Sequence, residues 1–156
     1  MASGINRAIL HVDDDPQFSR LVSHTLQRRG YDVVSINDPQ EVIPELIRNG
    51  YQMVLLDIDM PGINGLELLE RIKQYDGGIQ VIMLTGLVTL SNAMAAFRRG
   101  AEACFFKPTV DFDELCGAVD VTFHKIDHWW QALHNLTKQR RADAQQNRSS
   151  ETPATV

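Results

Sequence analysis

Residues 53–65 read Met53-Val54-Leu55-Leu56-Asp57-Ile58-Asp59-Met60-Pro61-Gly62-Ile63-Asn64-Gly65. Four consecutive apolar residues end in an aspartate, a second acid follows two positions on, and Pro61-Gly62 marks a turn. Asn64 then stands where a helix N-cap belongs, ahead of Leu66, Leu69 and Ile72 at helical spacing, and Gly77-Gly78 is the stop. An unbroken apolar run is how a strand reads when both faces of its sheet are covered, as in parallel sheets. The segment is therefore a strand, a turn and a helix, with carboxylates at the strand's carboxyl end. Gly62 and Gly65 do not form a phosphate-binding loop; they serve the turn and a close approach of backbone.

The same unit recurs on both sides. Further short apolar runs are Ala8–Val12, Asp32–Ile36, Ile79–Leu84 and Ala103–Phe106. Helices follow each of them. Asp15-Pro16 is an N-cap with proline at the first helical position, followed by Phe18, Leu21, Val22 and Leu26. Asp38-Pro39 with Glu41 repeats the capping logic, and Pro44 shortens or bends that second helix. Thr89 or Ser91 caps a helix carrying Ala93, Met94 and Phe97, and Asp111 with Glu114 opens the fifth through a capping box. Five such units predict an α/β fold, a doubly wound five-stranded parallel sheet with helices on both faces.

In open α/β sheets, ligands bind beyond the carboxyl ends of the strands. The polar residues there are Asp13, Asp14 and Asp15 after the first run, Asp57 and Asp59 after the third, Thr85 after the fourth and Lys107 after the fifth. Neighbouring ionised carboxylates repel, and a divalent cation offsets that cost. Magnesium takes oxygen ligands and commonly joins one or two carboxylates to phosphate oxygens. A lysine ammonium and a threonine hydroxyl suit the remaining phosphoryl oxygens, and an aspartate carboxylate can form an acyl phosphate. Asp57 is then the natural nucleophile. Asp13, Asp14 and Asp15 taken alone also read as a solvated turn, and Asp15 reads as the helix cap before it reads as a ligand.

Four segments together resemble the receiver domain of two-component response regulators, of the chemotaxis-receiver type. They are Ile9-Leu10-His11-Val12-Asp13-Asp14-Asp15-Pro16, Leu55 through Gly65, Ile82-Met83-Leu84-Thr85-Gly86 and Phe105-Phe106-Lys107-Pro108. In this order and spacing they are specific, whereas each alone is weak. The resemblance implies a flavodoxin-like sheet of order 2-1-3-4-5 and a receiver over residues 1–123. A DNA-binding regulator is the rival within the family, but residues 124–156 are too short for such an output domain, so a stand-alone receiver is expected. The resemblance also implies that Asp57 is the phosphorylated residue and that Mg2+ is held by Asp13, Asp14 and Asp57 with the backbone carbonyl of Asp59. Thr85 and Lys107 are the implied switch hydroxyl and lysine. A sensor histidine kinase or phosphotransfer protein is the implied donor, and an output protein of unknown identity the implied target. Such a chain is a signalling module that assists its own phosphorylation and dephosphorylation, not an enzyme acting on an external substrate. Two positions depart from the pattern: Cys104 stands where an aromatic is usual, and Thr109 where phenylalanine often follows Lys-Pro. Leu87, two after Thr85, cannot orient an attacking water by hydrogen bonding, which predicts slow decay of the acyl phosphate.

The alternative from another class is a phosphohydrolase of the haloacid-dehalogenase type, since Asp57-Ile58-Asp59 reproduces its DxD. That motif belongs after the first strand, and Pro61 replaces the expected Thr or Val. The net charge of -5 argues against generic nucleic-acid or anionic-membrane binding. Residues 1–123 carry 10 basic and 17 acidic side chains, so the acidity lies in the receiver segment. Two cysteines without CxxC spacing fit a reducing compartment, and no segment approaches the roughly 18 apolar residues of a membrane span. A cytoplasmic location is expected.

Beyond residue 123 the helical pattern continues. Val119, Phe123, Ile126, Trp130, Leu133 and Thr137 alternate spacings of four and three, close to a heptad seam, with Trp129 and Leu136 beside it. Residues 124–143 are expected to be a helical extension and 144–156 a disordered tail. The stripe suits a homodimer through paired helices first, packing back onto the receiver second, and another protein third.

Overall fold

The structure is a computed structural model that describes residues 6–86, 89–107 and 111–150. Two compact units divide the chain, one ending at Thr122 and the other beginning at Phe123.

In the first unit the strands are β1 (Ala8–Val12), β2 (Asp32–Ile36), β3 (Met53–Leu56), β4 (Gln80–Thr85) and β5 (Ala103–Phe106). All neighbours pair in parallel, in the order β2-β1-β3-β4-β5. The helices are α1 (Pro16–Gln27), α2 (Val42–Asn49), α3 (Gly65–Tyr75), α4 (Leu90–Arg98) and α5 (Phe112–Ser150). The central strand β3 is buried at every residue, whereas the edge strand β2 is largely exposed. Leu10, Val12, Val54, Leu56, Val81 and Met83 belong to one core cluster with Val42 and Leu46 of α2 and Leu68, Leu69 and Ile72 of α3.

Side-chain caps begin the helices where the residue types predict them. Asp15 accepts from the amides of Gln17 and Phe18, Asn64 from Leu66, and Asp111 from Asp113 and Glu114. Thr89 rather than Ser91 caps α4, accepting from Asn92. Pro44 does not bend α2. It is the third residue of the helix, where its missing N–H has no intrahelical acceptor to lose. The preceding Pro39–Glu41 segment forms a 3-10 turn instead. β4 begins one residue later than the apolar run because Ile79 closes a turn on the Asp76 carbonyl.

In the second unit, α5 continues as unbroken helix to Ser150, so residues 144–150, expected to be disordered, are helical. No glycine or proline interrupts them, and helix propagation needs only one further hydrogen bond per residue. Residues 151–156 lie outside the described part. No helix among the described residues is long and apolar enough to cross a membrane.

Candidate functional site

Two backbone hydrogen bonds carry the ladder past the strand ends and place the acids. The Asp13 amide donates to the Ile36 carbonyl at 3.1 Å, and the Asp57 amide to the Val12 carbonyl at 3.0 Å. On the other side of β3, the Lys107 amide donates to the Thr85 carbonyl at 2.8 Å. Asp13, Asp57 and Thr85 are buried at the sheet's carboxyl edge, and Asp14 is exposed there.

Lys107 Nζ bonds Asp13 Oδ2 and lies 3.3 Å from Asp57 Oδ2, so one cation bridges two buried carboxylates. Each carboxylate's other oxygen is taken by the backbone. Asp13 Oδ1 accepts from the Asp15 amide at 2.9 Å, and Asp57 Oδ1 from the Asp59 amide at 3.2 Å. These bonds orient both groups before any ligand arrives.

Carboxylate oxygens of Asp13, Asp14 and Asp57 all lie within 4.8 Å of one another, the one such metal-competent group among the described residues. Three oxygen donors at this spacing, with one carboxylate open to solvent, fit a hard divalent cation that keeps waters. The Asp57 carboxyl is raised above the ordinary aspartate value. Burial is the main cause, opposed by Lys107, reinforced by the negative charge of Asp13 and offset further by the Asp59 amide.

Asp15 serves as the α1 cap, as its residue type suggests. Asp59 is exposed and its side chain stands outside the carboxylate group; its amide, not its carboxylate, touches Asp57. Cys104 pairs with Met83 in the β4–β5 ladder, is half-buried, and packs on the core as a small apolar residue. Burial pushes its thiol pKa up, against thiolate chemistry. Leu87, Pro108 and Thr109 lie outside the described residues.

Two contributors were not singled out by residue pattern. By spacing Phe18 belongs only to the apolar face of α1, yet its ring centroid lies 4.4 Å from Lys107 Nζ, a cation–π distance. His11 interrupts an apolar strand run and is fully buried, with Nε2 3.8 Å from Asp13 Oδ2. Burial, and then the nearby Lys107 charge, lower its pKa to about 4, so it is neutral at physiological pH. Its place next to Val12-Asp13 was the only available hint.

Comparison with known proteins agrees with this geometry. Residues 9–120 match the model of the response regulator receiver domain. The chain is 32% identical over 127 residues to the transcriptional regulatory protein TrcR of Mycobacterium tuberculosis, covering 81% of this chain and 49% of that protein. It is 35% identical over 103 residues to a CpxR homolog of Haemophilus influenzae, covering 66% and 44%. The chain thus spans about half the length of these relatives. Among solved structures, a receiver domain from Clostridium thermocellum superposes with a TM-score of 0.73 at 27% identity, covering 78% of this chain and 98% of that one. The response regulator TrrA of Thermotoga maritima, solved in complex with Mg(2+)-BeF, matches with a TM-score of 0.67 at 30% identity, covering 74% and 98%. With the strand order, the carboxylate group and the bridging lysine all in place, the chain belongs to the response regulator receiver domain family.

Proposed function

We propose that this chain accepts a phosphoryl group on Asp57 from a histidine kinase or phosphotransfer protein, with Mg2+ held by Asp13, Asp14, Asp57 and the Asp59 carbonyl, and thereby controls an output partner. The observation that carries the proposal is the buried Asp57 carboxylate, flanked by two further acids and bridged to Asp13 by Lys107. A bound magnesium ion supplies the positive charge that offsets repulsion between these carboxylates and the incoming phosphoryl oxygens. Asp57 forms the new O–P bond while the donor's phosphohistidine N–P bond breaks. The Asp59 amide orients the nucleophile. Lys107 can exchange its carboxylate partners for a phosphoryl oxygen, and Thr85 supplies a hydroxyl at the same edge. Movement of Thr85 and Lys107 toward the phosphoryl group shifts a two-state population.

Incubation with a small-molecule phosphodonor and magnesium should add one phosphoryl mass per chain, read by intact mass spectrometry. Chelation should abolish the addition. Asp14→Ala should reduce its rate about tenfold or more through metal loss. A chain that stays unmodified with donor and magnesium refutes the proposal. Sustained turnover of a phosphomonoester would instead favour the phosphohydrolase alternative.

The second unit supports self-association as part of the same reading. Trp129, Trp130, Leu133 and Leu136 are each more than half exposed, and adjacent exposed tryptophans mark an interface. In a parallel, in-register pair with Trp130 at a and Leu133 at d, Asp143 falls at g and Arg148 at the e position it faces on the partner helix. This pairing favours a second copy of this chain as the occupant. Sedimentation equilibrium of the full chain at micromolar concentration should show dimers, and Trp130→Glu with Leu133→Glu should yield monomers. A monomeric wild-type chain, with and without beryllofluoride, overturns this part.

A further inference from the structure

His11 is a buried imidazole for which the resting site has no use. Both ring nitrogens are buried without a hydrogen-bond partner among the described residues, although Nε2 lies only 3.8 Å from Asp13 Oδ2. Unpaired buried polar groups are uncommon and costly in native proteins, so one beside a reacting centre calls for a physical account. The neighbouring contacts supply it. Asp13 Oδ2 is occupied by the Lys107 ammonium, which also reaches Asp57 Oδ2 at 3.3 Å. Asp13 Oδ1 is held by the Asp15 amide. While Lys107 stays, Asp13 needs no other donor.

That balance changes if Asp57 carries a phosphoryl group. Lys107 then has a stronger anion to pair with, and Asp13 Oδ2 loses its hydrogen-bond donor while still buried; a magnesium ion would bring charge to Asp13 but no N–H. We propose that His11 is a positioning residue: its Nε2–H closes onto Asp13 Oδ2 when Lys107 transfers to the phosphoryl oxygen. The move required is under 1 Å, from 3.8 Å to an ordinary N–H···O distance of about 2.9 Å. No proton changes hands, because the neutral imidazole donates its own N–H. The His11 ring also sits 6.4 Å from the Phe18 ring, on whose face the Lys107 ammonium rests. Phe18 thus borders both the departing cation and the replacement donor. The consequence is selective stabilisation of the phosphorylated state, since the hydrogen bond forms only there.

The inference rests on the proposed phosphoacceptor role, and the test separates the two. Full-length wild type, His11→Leu and His11→Gln are titrated with magnesium alone and with magnesium plus beryllofluoride, by calorimetry. Leucine has similar bulk and no donor, whereas the glutamine amide can donate from nearly the Nε2 position. His11→Leu should bind magnesium within about threefold of wild type and beryllofluoride about tenfold more weakly, as for a lost hydrogen bond to a charged group. His11→Gln should recover most of that loss. The unliganded Leu variant should melt higher than wild type, because two unpaired polar atoms are gone. In proton NMR spectra, a His11 ring N–H should become protected and move downfield only with beryllofluoride present. Equal beryllofluoride affinity in wild type and His11→Leu overturns the inference. So does a Leu variant that loses magnesium and beryllofluoride affinity alike and melts lower, which would mark a merely structural histidine. Failure of wild type to bind beryllofluoride at all would refute the phosphoacceptor role itself.

Discussion

Asp57→Asn should abolish phosphoryl labelling and, in the metal-free protein, raise the melting temperature. The first effect follows from chemistry. The amide keeps the shape of the side chain and an acceptor for the Asp59 amide, but it is not a nucleophile for an acyl phosphate. The second follows from electrostatics. Burial and the Asp13 charge disfavour ionised Asp57 more than Lys107 and the Asp59 amide favour it, so its carboxyl is raised. A carboxyl with a folded-state pKa above its unfolded value binds extra protons in the fold. Stability then falls as pH rises through the window between the two values. The penalty is absent below the ordinary aspartate value of about 3.9 and grows as pH rises above it. The stabilisation by Asn should therefore be present at pH 7, with chelator, and vanish in acid. Undiminished labelling of the Asn variant in intact mass spectra would remove Asp57 as the acceptor. A lower melting temperature at pH 7 would show that the Lys107 pairing outweighs the burial cost.

Gly65→Ala should cost roughly 3 kcal/mol or more, read as a drop in the urea midpoint. A β-carbon on residue 65 would lie 1.9 Å from the Asp57 carbonyl oxygen and 2.6 Å from the Ile58 α-carbon. The obstruction is backbone, so no side chain can swing aside. The Gly65 amide meanwhile donates to the Ile58 carbonyl at 2.8 Å, clamping the start of α3 onto the acceptor loop. Relief of the clash would have to displace Asp57 itself, so labelling by a phosphodonor should fall as well. Gly62 provides the contrast. It has φ +87 and open space around the missing β-carbon, so Gly62→Ala should cost only about 1–2 kcal/mol, from backbone conformation alone. A Gly65→Ala chain within 1 kcal/mol of wild type would mean that the loop yields more readily than this packing implies.

Much of this could be read in the residues themselves, because the signals are local. An unbroken apolar run marked Met53–Leu56, since a strand covered on both faces tolerates it, whereas the edge strand Asp32–Ile36 carries Asp32 and Ser35 and is largely exposed. Asp15, Asn64 and Asp111 marked helix starts, because a short polar side chain there reaches the amides two or three residues on. The acids, Thr85 and Lys107 were legible as a group because each follows a strand run and parallel strands share one carboxyl edge. The choice of Thr89 over Ser91 and the harmlessness of Pro44 were not legible, since each depends on which residue the helix begins with. Which oxygen each charge meets was beyond any local signal. Lys107 joins Asp13 across 94 residues and Asp57 across 50, and only the packed sheet decides that one ammonium bridges both. The clash that reserves position 65 for glycine and the isolation of His11 are of the same kind. Residue type and spacing determine what a side chain can offer; the absence of a partner, or of room for one carbon, exists only once the surrounding elements have closed around it.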